Sequence, residues 1–306
     1  ISAGLDIESN VDVHFEWRAK PTSELSDKFA RLPVHQPQVA IALSTSSPFQ
    51  ADFAIGLPDE MKVVLLQGFK LARHQIRKEI GPKLAAADLG PVSEVFNAIS
   101  ETVRRGEVNG LVTFAETDNQ QMILVAGLRV VRSDLVQQFL KTVLPYAQDT
   151  DDIKSVDVGF YESESLSLHR LQGRKQRAED RHLYGESAAL YVGTSLDAFW
   201  IANGGDGTPA VVKSLMQTNS KTRDHALVRA KFSLDPWLKV AEKNQQDLGK
   251  IRFVRRAFEE AADDEINFEL KAGPDKLTAQ LLLEEGYLKL FGIALKEELR
   301  KQTGRK

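Results

Sequence analysis

The segment "VNGLVTFAETDNQQMILVAGLRVVRSDLVQQFLKTVLPYA", Val108 to Ala147, constrains the fold of this chain more than any other stretch. Two runs rich in Val, Leu and Phe flank the polar "ETDNQQ", the pattern of a β-hairpin. Beyond it, Leu135, Val136, Phe139, Leu140, Val143 and Leu144 recur in pairs every four residues, which draws one apolar stripe along a helix. Ser133 or Asp134 stands where a capping side chain is expected. A helix that follows directly on a hairpin has one near surface for its apolar face, the sheet which that hairpin helps to form.

The same grammar returns. In "AALYVGTSLDAFWIANGGDGTPAVVKSLM", Ala188 to Met216, "TSLD" parts two short strands, and Val211, Val212, Leu215 and Met216 repeat the helical pairs. In "INFELKAGPDKLTAQLLLEEGYLKLFGIALKEELRK", Ile266 to Lys301, "AGPD" turns the chain, and Leu288, Phe291, Leu295 and Leu299 fall on one helix face. A less regular copy begins "QVAIALSTSSPFQADFAIGLPDEMKVVLLQGFKLARHQ", with Pro58, Asp59 and Glu60 at the helix start.

Further helices are expected over Val92 to Arg104 and Ile251 to Ala262, and further strands at "VDVHFEW", "SLSLHRL" and "ALVRAKF". Alternation in the first of these sets Val11, Val13, Phe15 and Trp17 against Asp12, His14 and Glu16. Because hairpins precede the helices, the expected fold is α+β. Its sheets are mainly antiparallel with helices packed on one face, built from repeated strand-strand-helix units that imply internal duplication. The polar stretch "PYAQDTDDIKS" divides the chain into an α+β half over 1–150 and a second over 151–306.

Several function classes lose their support on composition. Forty basic and 43 acidic side chains leave a net charge of -3, so no global field draws the chain to nucleic acid. The longest apolar runs, Met122 to Val131 and Val63 to Leu71, fall short of the roughly 18 residues a membrane-spanning helix needs. Absence of cysteine removes disulfides, thiol catalysis and thiolate metal sites together.

The order of "RRGEVNGLVTFAETDNQQMILVAGLRVVRSDLVQQFLKTVL", "SLSLHRLQG", "GESAALYVGTSLDAFWIANGGDGTPAVVKSLM" and "LTAQLLLEEGYLKLFG" resembles a group of uncharacterised exported proteins of planctomycete-type bacteria, over about residues 33 to 299. The resemblance implies a periplasmic or secreted location behind a signal peptide that lies outside this sequence. It brings no activity and no functional residue.

A second, local resemblance is chemical. Gly204, Gly205, Asp206, Gly207 and Thr208 match the Gly-Gly-Asp-Gly-Thr loop of diacylglycerol, sphingosine and NAD kinases, in which backbone amides approach nucleotide phosphates between a strand and a helix. In those families alternating strands and helices lead to the loop and a Pro-x-Gly-Thr-x-Asn-Asp phrase follows it. Here a hairpin leads to it and no such phrase follows. Turn chemistry explains the same letters: glycines supplying positive φ, Thr208 as N-cap and Pro209 at the first helical position.

The remaining patterns point away from catalysis. His14, His35, His74, His169, His182 and His225 show no metal-ligand spacing, and His169 alternates with leucines as a hydrogen-bonded sheet residue would. Asp149, Asp151 and Asp152 lack the spaced acids and glycine of a calcium loop, and the other carboxylate pairs sit in polar stretches. "LQGRKQRAEDRHLYGES" mixes charge signs as a solvated loop or short helix does. Arg252, Arg255 and Arg256 are offset by Glu259 and Glu260 one helical turn on.

The expectation is therefore a non-enzymatic exported binding, carrier or envelope-associated structural protein without catalytic residues, metal or cofactor. Its partner would be a protein or an apolar small molecule, and not nucleic acid. The alternative is a nucleotide-dependent lipid or small-molecule kinase working through residues 204 to 208.

Overall fold

The computed structural model describes residues 2–7, 10–33, 47–83, 88–117, 121–217, 226–243, 248–258 and 264–303. The strands are β1 (Ser2–Ile7), β2 (Val11–Arg18), β3 (Phe49–Gly56), β4 (Glu107–Glu116), β5 (Met122–Arg129), β6 (Ile153–Glu162), β7 (Leu166–Gly173), β8 (Ala189–Ser195), β9 (Ala198–Gly204), β10 (Ala226–Ser233), β11 (Glu265–Ala272) and β12 (Lys276–Leu283). They form one antiparallel sheet in the order β1-β2-β12-β11-β10-β3-β4-β5-β9-β8-β7-β6. The helices are α1 (Glu24–Arg31), α2 (Asp59–Ile80), α3 (Leu89–Arg105), α4 (Ser133–Ala147), α5 (Ala178–Tyr184), α6 (Thr208–Gln217), α7 (Asp235–Lys243), α8 (Leu248–Phe258) and α9 (Glu285–Thr303).

The fold is α+β with an antiparallel sheet. Strand-strand-helix runs recur at β4-β5-α4, β6-β7-α5, β8-β9-α6 and β11-β12-α9. Strands from 1–150 and 151–306 interleave, since β3 pairs with β10, β5 with β9, and β2 with β12.

Two buried clusters lie on opposite faces of the β4-to-β7 side. Val136, Leu140 and Leu144 of α4 and Val95, Phe96 and Ala98 of α3 pack on Val192 and Leu171. On the other face Val212 of α6, with Val211, Leu215 and Met216, covers Ile123, Val125, Tyr191, Trp200 and Leu168. Successive residues of a strand point to opposite faces, so Tyr191 and Val192 serve different cores. This side of the sheet is helix-covered on both faces.

Several local expectations change. Helix α4 is preceded by Arg132 with no capping side chain: the Ser133 hydroxyl donates to Leu196 O at 2.6 Å, and Asp134 is held by the Arg132 guanidinium at 2.8 and 2.9 Å. In α9 the stripe Phe291, Leu295 and Leu299 is 59%, 64% and 52% exposed, while Tyr287 is buried edge-on against Phe258. Docking on α8 turned the helix about its axis, which periodicity alone does not fix. Arg255 pairs with Glu242 at 2.7 and 2.8 Å and reaches Asp235 at 3.4 Å, both acids of α7. Glu259, Glu260, His35, His225 and the start of the fourth strand-strand-helix copy lie outside the described residues.

Candidate functional site

Gly204 to Thr208 form one tight connection from β9 into α6. None of Gly204, Gly205 and Gly207 has positive φ; among the described glycines that conformation belongs to Gly106, Gly159 and Gly185. Gly204 is instead required by packing. A Cβ there would stand 2.8 Å from Ile123 Cγ1 and 2.8 Å from Thr208 Oγ1. Gly207 faces open space, with nothing within 4 Å of a Cβ.

Thr208 is the first helical residue and not the cap, and Pro209 is the second. The Gly207 carbonyl receives Ala210 N–H and Val211 N–H, while the Thr208 hydroxyl donates to Gly205 O at 2.7 Å. The same Gly205 oxygen receives the Tyr191 hydroxyl at 3.2 Å, whose pKa burial pushes up. The loop is thus tied down through one carbonyl. Asp206 points outward, 73% exposed, with Arg170 at 3.8 Å. Arg170 is itself held by Asp157 at 2.8 Å and lies 4.0 Å over the Phe160 ring.

The histidines stand apart. His14 is exposed on β2 over Gly4, His74 is exposed on α2, and His182 lines a shallow cleft of about 340 Å³ with Gln121, Arg181 and Glu186. His169 is sealed at 0% exposure, its Nδ1 accepting the Gly159 N–H at 2.8 Å. Nε2 therefore carries the proton, and it has no partner. Burial, reinforced by the Lys141 charge and opposed by Glu162, pushes its pKa down. Asp149, Asp151 and Asp152 sit in an exposed turn before β6. Among the described residues no three His, Asp or Glu side chains converge as metal ligands would.

The feature that sequence reading missed lies in the register of the β2-to-β4 side. One row of cross-strand partners runs Val13, Leu281, Phe268, Ala230, Ala51, Val112, Ala126, Ile201 over eight strands, every member apolar. Val13 through Ala126 are half-buried and Ile201 is 41% exposed. Among the described residues the row is sealed where it continues through Val192 to His169 beneath α4. At one end Trp237 of α7 closes over this face, stacked on Phe232 at 6.3 Å and edge-on to Phe114 at 5.0 Å.

The next row, one residue along and on the opposite face, reads His14, Gln280, Glu269, Arg229, Asp52 and then Leu111. Asp52 is wholly buried and bonded to Arg229 at 2.6 and 3.2 Å; nearby Lys231, almost wholly buried, pairs with Glu265. Arg229, Asn267, Glu269, Gln280 and Leu282, together with Ala230 and Phe268, line a cleft of about 310 Å³. The face turns apolar at β4, where the core under α6 begins. The alternation in "VDVHFEW" was the one legible sign of this two-faced sheet; the row itself needs pairing partners that are up to some 270 residues apart in sequence.

Compared with models of known protein families, with curated proteins and with solved structures, the chain finds no match. No helix among the described residues is long and apolar enough to cross a membrane.

Proposed function

We propose that this is a non-enzymatic binding protein that carries an apolar, lipid-like molecule on the apolar face of β2, β12, β11, β10, β3 and β4. The observation that carries the reading is the unbroken apolar row from Val13 to Ile201, half-buried from Val13 to Ala126 and exposed at Ile201. Isolated exposed apolar side chains are ordinary on a soluble surface, but a contiguous patch rimmed by polar residues marks a binding surface. Phe15 and Trp17, stacked at 6.2 Å, add aromatic area at the β2 end. An apolar ligand would gain about 25 cal/mol for each Å² of apolar surface it removes from water. An extracytoplasmic location, as the resemblance implies, belongs to the same proposal, and fractionation of cells expressing the native gene would test it.

Binding is tested with N-phenyl-1-naphthylamine, a dye that fluoresces in apolar sites, displaced by palmitate. The expected result is saturable enhancement that palmitate reverses and that Phe268→Asp and Leu281→Asp each weaken at least tenfold, with far-UV circular dichroism unchanged. No enhancement, or enhancement indifferent to both substitutions, refutes the reading.

A further inference from the structure

The outermost strand β6 departs from its pairing with β7 at its centre. Asp157 partners Arg170 and Tyr161 partners Leu168, so Val158, Gly159 and Phe160 stand opposite the single residue His169. This is a bulge, and Gly159 takes a φ of 73° within it. Where a backbone-to-backbone ladder bond would be expected, the Gly159 N–H donates instead to the His169 imidazole, at 2.8 Å from Nδ1. The bulge also re-aims Phe160. In plain alternation Asp157 and Phe160 would face opposite ways, whereas here the Phe160 ring lies 4.0 Å from the Arg170 guanidinium that Asp157 holds, and 5.7 Å from the Tyr191 ring.

We infer that His169 is an acid-sensitive pin: uncharged, it holds the bulge of β6 against the sheet, and on taking up a proton it lets that segment go. The imidazole holds Gly159 only while Nδ1 keeps its lone pair. Once protonated, both ring nitrogens are donors. Nδ1–H would then face the Gly159 N–H donor to donor, and Nε2–H already has no acceptor. The ring is wholly buried, so the proton enters only as β6 opens. Burial disfavours the cation, Lys141 of α4 repels it and Glu162 of β6 attracts it; Glu162 is itself bonded to Lys141 at 3.3 Å. From β8 the ring meets the apolar Val192, while Gln137 and Thr194 are neutral and bonded to each other. Asp157 and Arg170 are paired on the opposite face. Because β6 is an edge of the sheet, its central residues can leave without breaking any other strand pair. Release separates Phe160 from Arg170 and Tyr191, and the Tyr191 hydroxyl is one of the groups that tie down Gly205 O. Acid therefore loosens one support of the β9-to-α6 connection.

Hydrogen exchange of the whole protein, read by mass spectrometry on peptides from β6 and β9 and corrected for the intrinsic rate at each pH, tests this. One proton taken up only in the open state, where histidine has its ordinary value of 6.5, should speed exchange of residues 158–160 by about five- to tenfold between pH 7.5 and pH 5.5. Those residues should exchange about tenfold or more faster than β9 at both pH values, because the release is local. His169→Asn, whose amide oxygen can accept from Gly159 without titrating, should reduce the pH effect to less than about twofold. The imidazole nitrogen-15 spectrum of the parent protein gives a check that needs no variant. At pH 7.5 Nε2 should be protonated and Nδ1 not, and Nδ1 should gain its proton over the pH range in which β6 loses protection. A common exchange rate for β6 and β9, a pH effect that survives in His169→Asn, or a protonated Nδ1 at pH 7.5 would each overturn the inference.

Discussion

Substituting Gly204 and Gly207 in turn should move stability in opposite directions, because the two glycines occupy the same loop for different reasons. At Gly204 an added methyl group lies 2.8 Å from Ile123 Cγ1, about 1 Å inside ordinary carbon contact. Ile123 is 1% exposed and has nowhere to go, and Thr208, the second neighbour, can retreat only by losing its bond to Gly205 O. Overpacking of this kind costs about 1–3 kcal/mol, offset by about 0.4–1 kcal/mol from the stiffer unfolded chain. Gly204→Ala should therefore destabilise by roughly 1–2 kcal/mol. At Gly207 the space is open, φ is not positive, and the residue precedes α6. A serine there can cap the helix, so Gly207→Ser should stabilise by about 0.5–1 kcal/mol. Urea unfolding followed by tryptophan fluorescence, fitted with a common slope, reads both values. Equal stability of Gly204→Ala and the parent protein would show that packing against Ile123 is not why the loop has glycine there.

Other outcomes follow from buried polar groups. Arg229→Met removes the two bonds at 2.6 and 3.2 Å that the guanidinium makes to the buried Asp52 carboxylate, so it should destabilise by about 1.5–3 kcal/mol, measured by the same unfolding assay. Its cycle with Asp52→Asn should show coupling of at least about 0.5 kcal/mol. His169 has its pKa held below 6.5 by burial, so the unfolded chain binds the extra proton and the folded chain does not. Stability should be complete above pH 6.5 and fall as pH drops below it, and His169→Gln should flatten that slope. Tyr191→Phe removes the hydroxyl that reaches Gly205 O at 3.2 Å and should cost about 1 kcal/mol by thermal or urea unfolding.

Residue order settled the elements whose cause is local. Hairpins appear at "TSLD" and "AGPD" because two short apolar runs around turn residues have few other ways to satisfy their backbone, and α4 buries Val136, Leu140 and Leu144 as its paired spacing requires. Helix α9 shows the limit of that logic, since its stripe of Phe291, Leu295 and Leu299 faces outward while Tyr287 finds Phe258. Periodicity says that a helix has an apolar side and does not say which neighbour will arrive.

The glycine loop shows the same division. Its letters fixed the passage from strand to helix, but the reason for Gly204 is a side chain from β5, 81 residues earlier in the chain. The candidate binding face is wholly a product of tertiary pairing. Val13, Phe268 and Ala51 each stand between polar neighbours in an unremarkable strand, and Val112 lies in a mostly apolar one. Only the order β2-β12-β11-β10-β3-β4 and its register line them up into one apolar row, with Asp52, Arg229 and Glu269 on the reverse. Side-chain alternation is written residue by residue, whereas which strand lies beside which is decided by long-range contacts that no single segment contains.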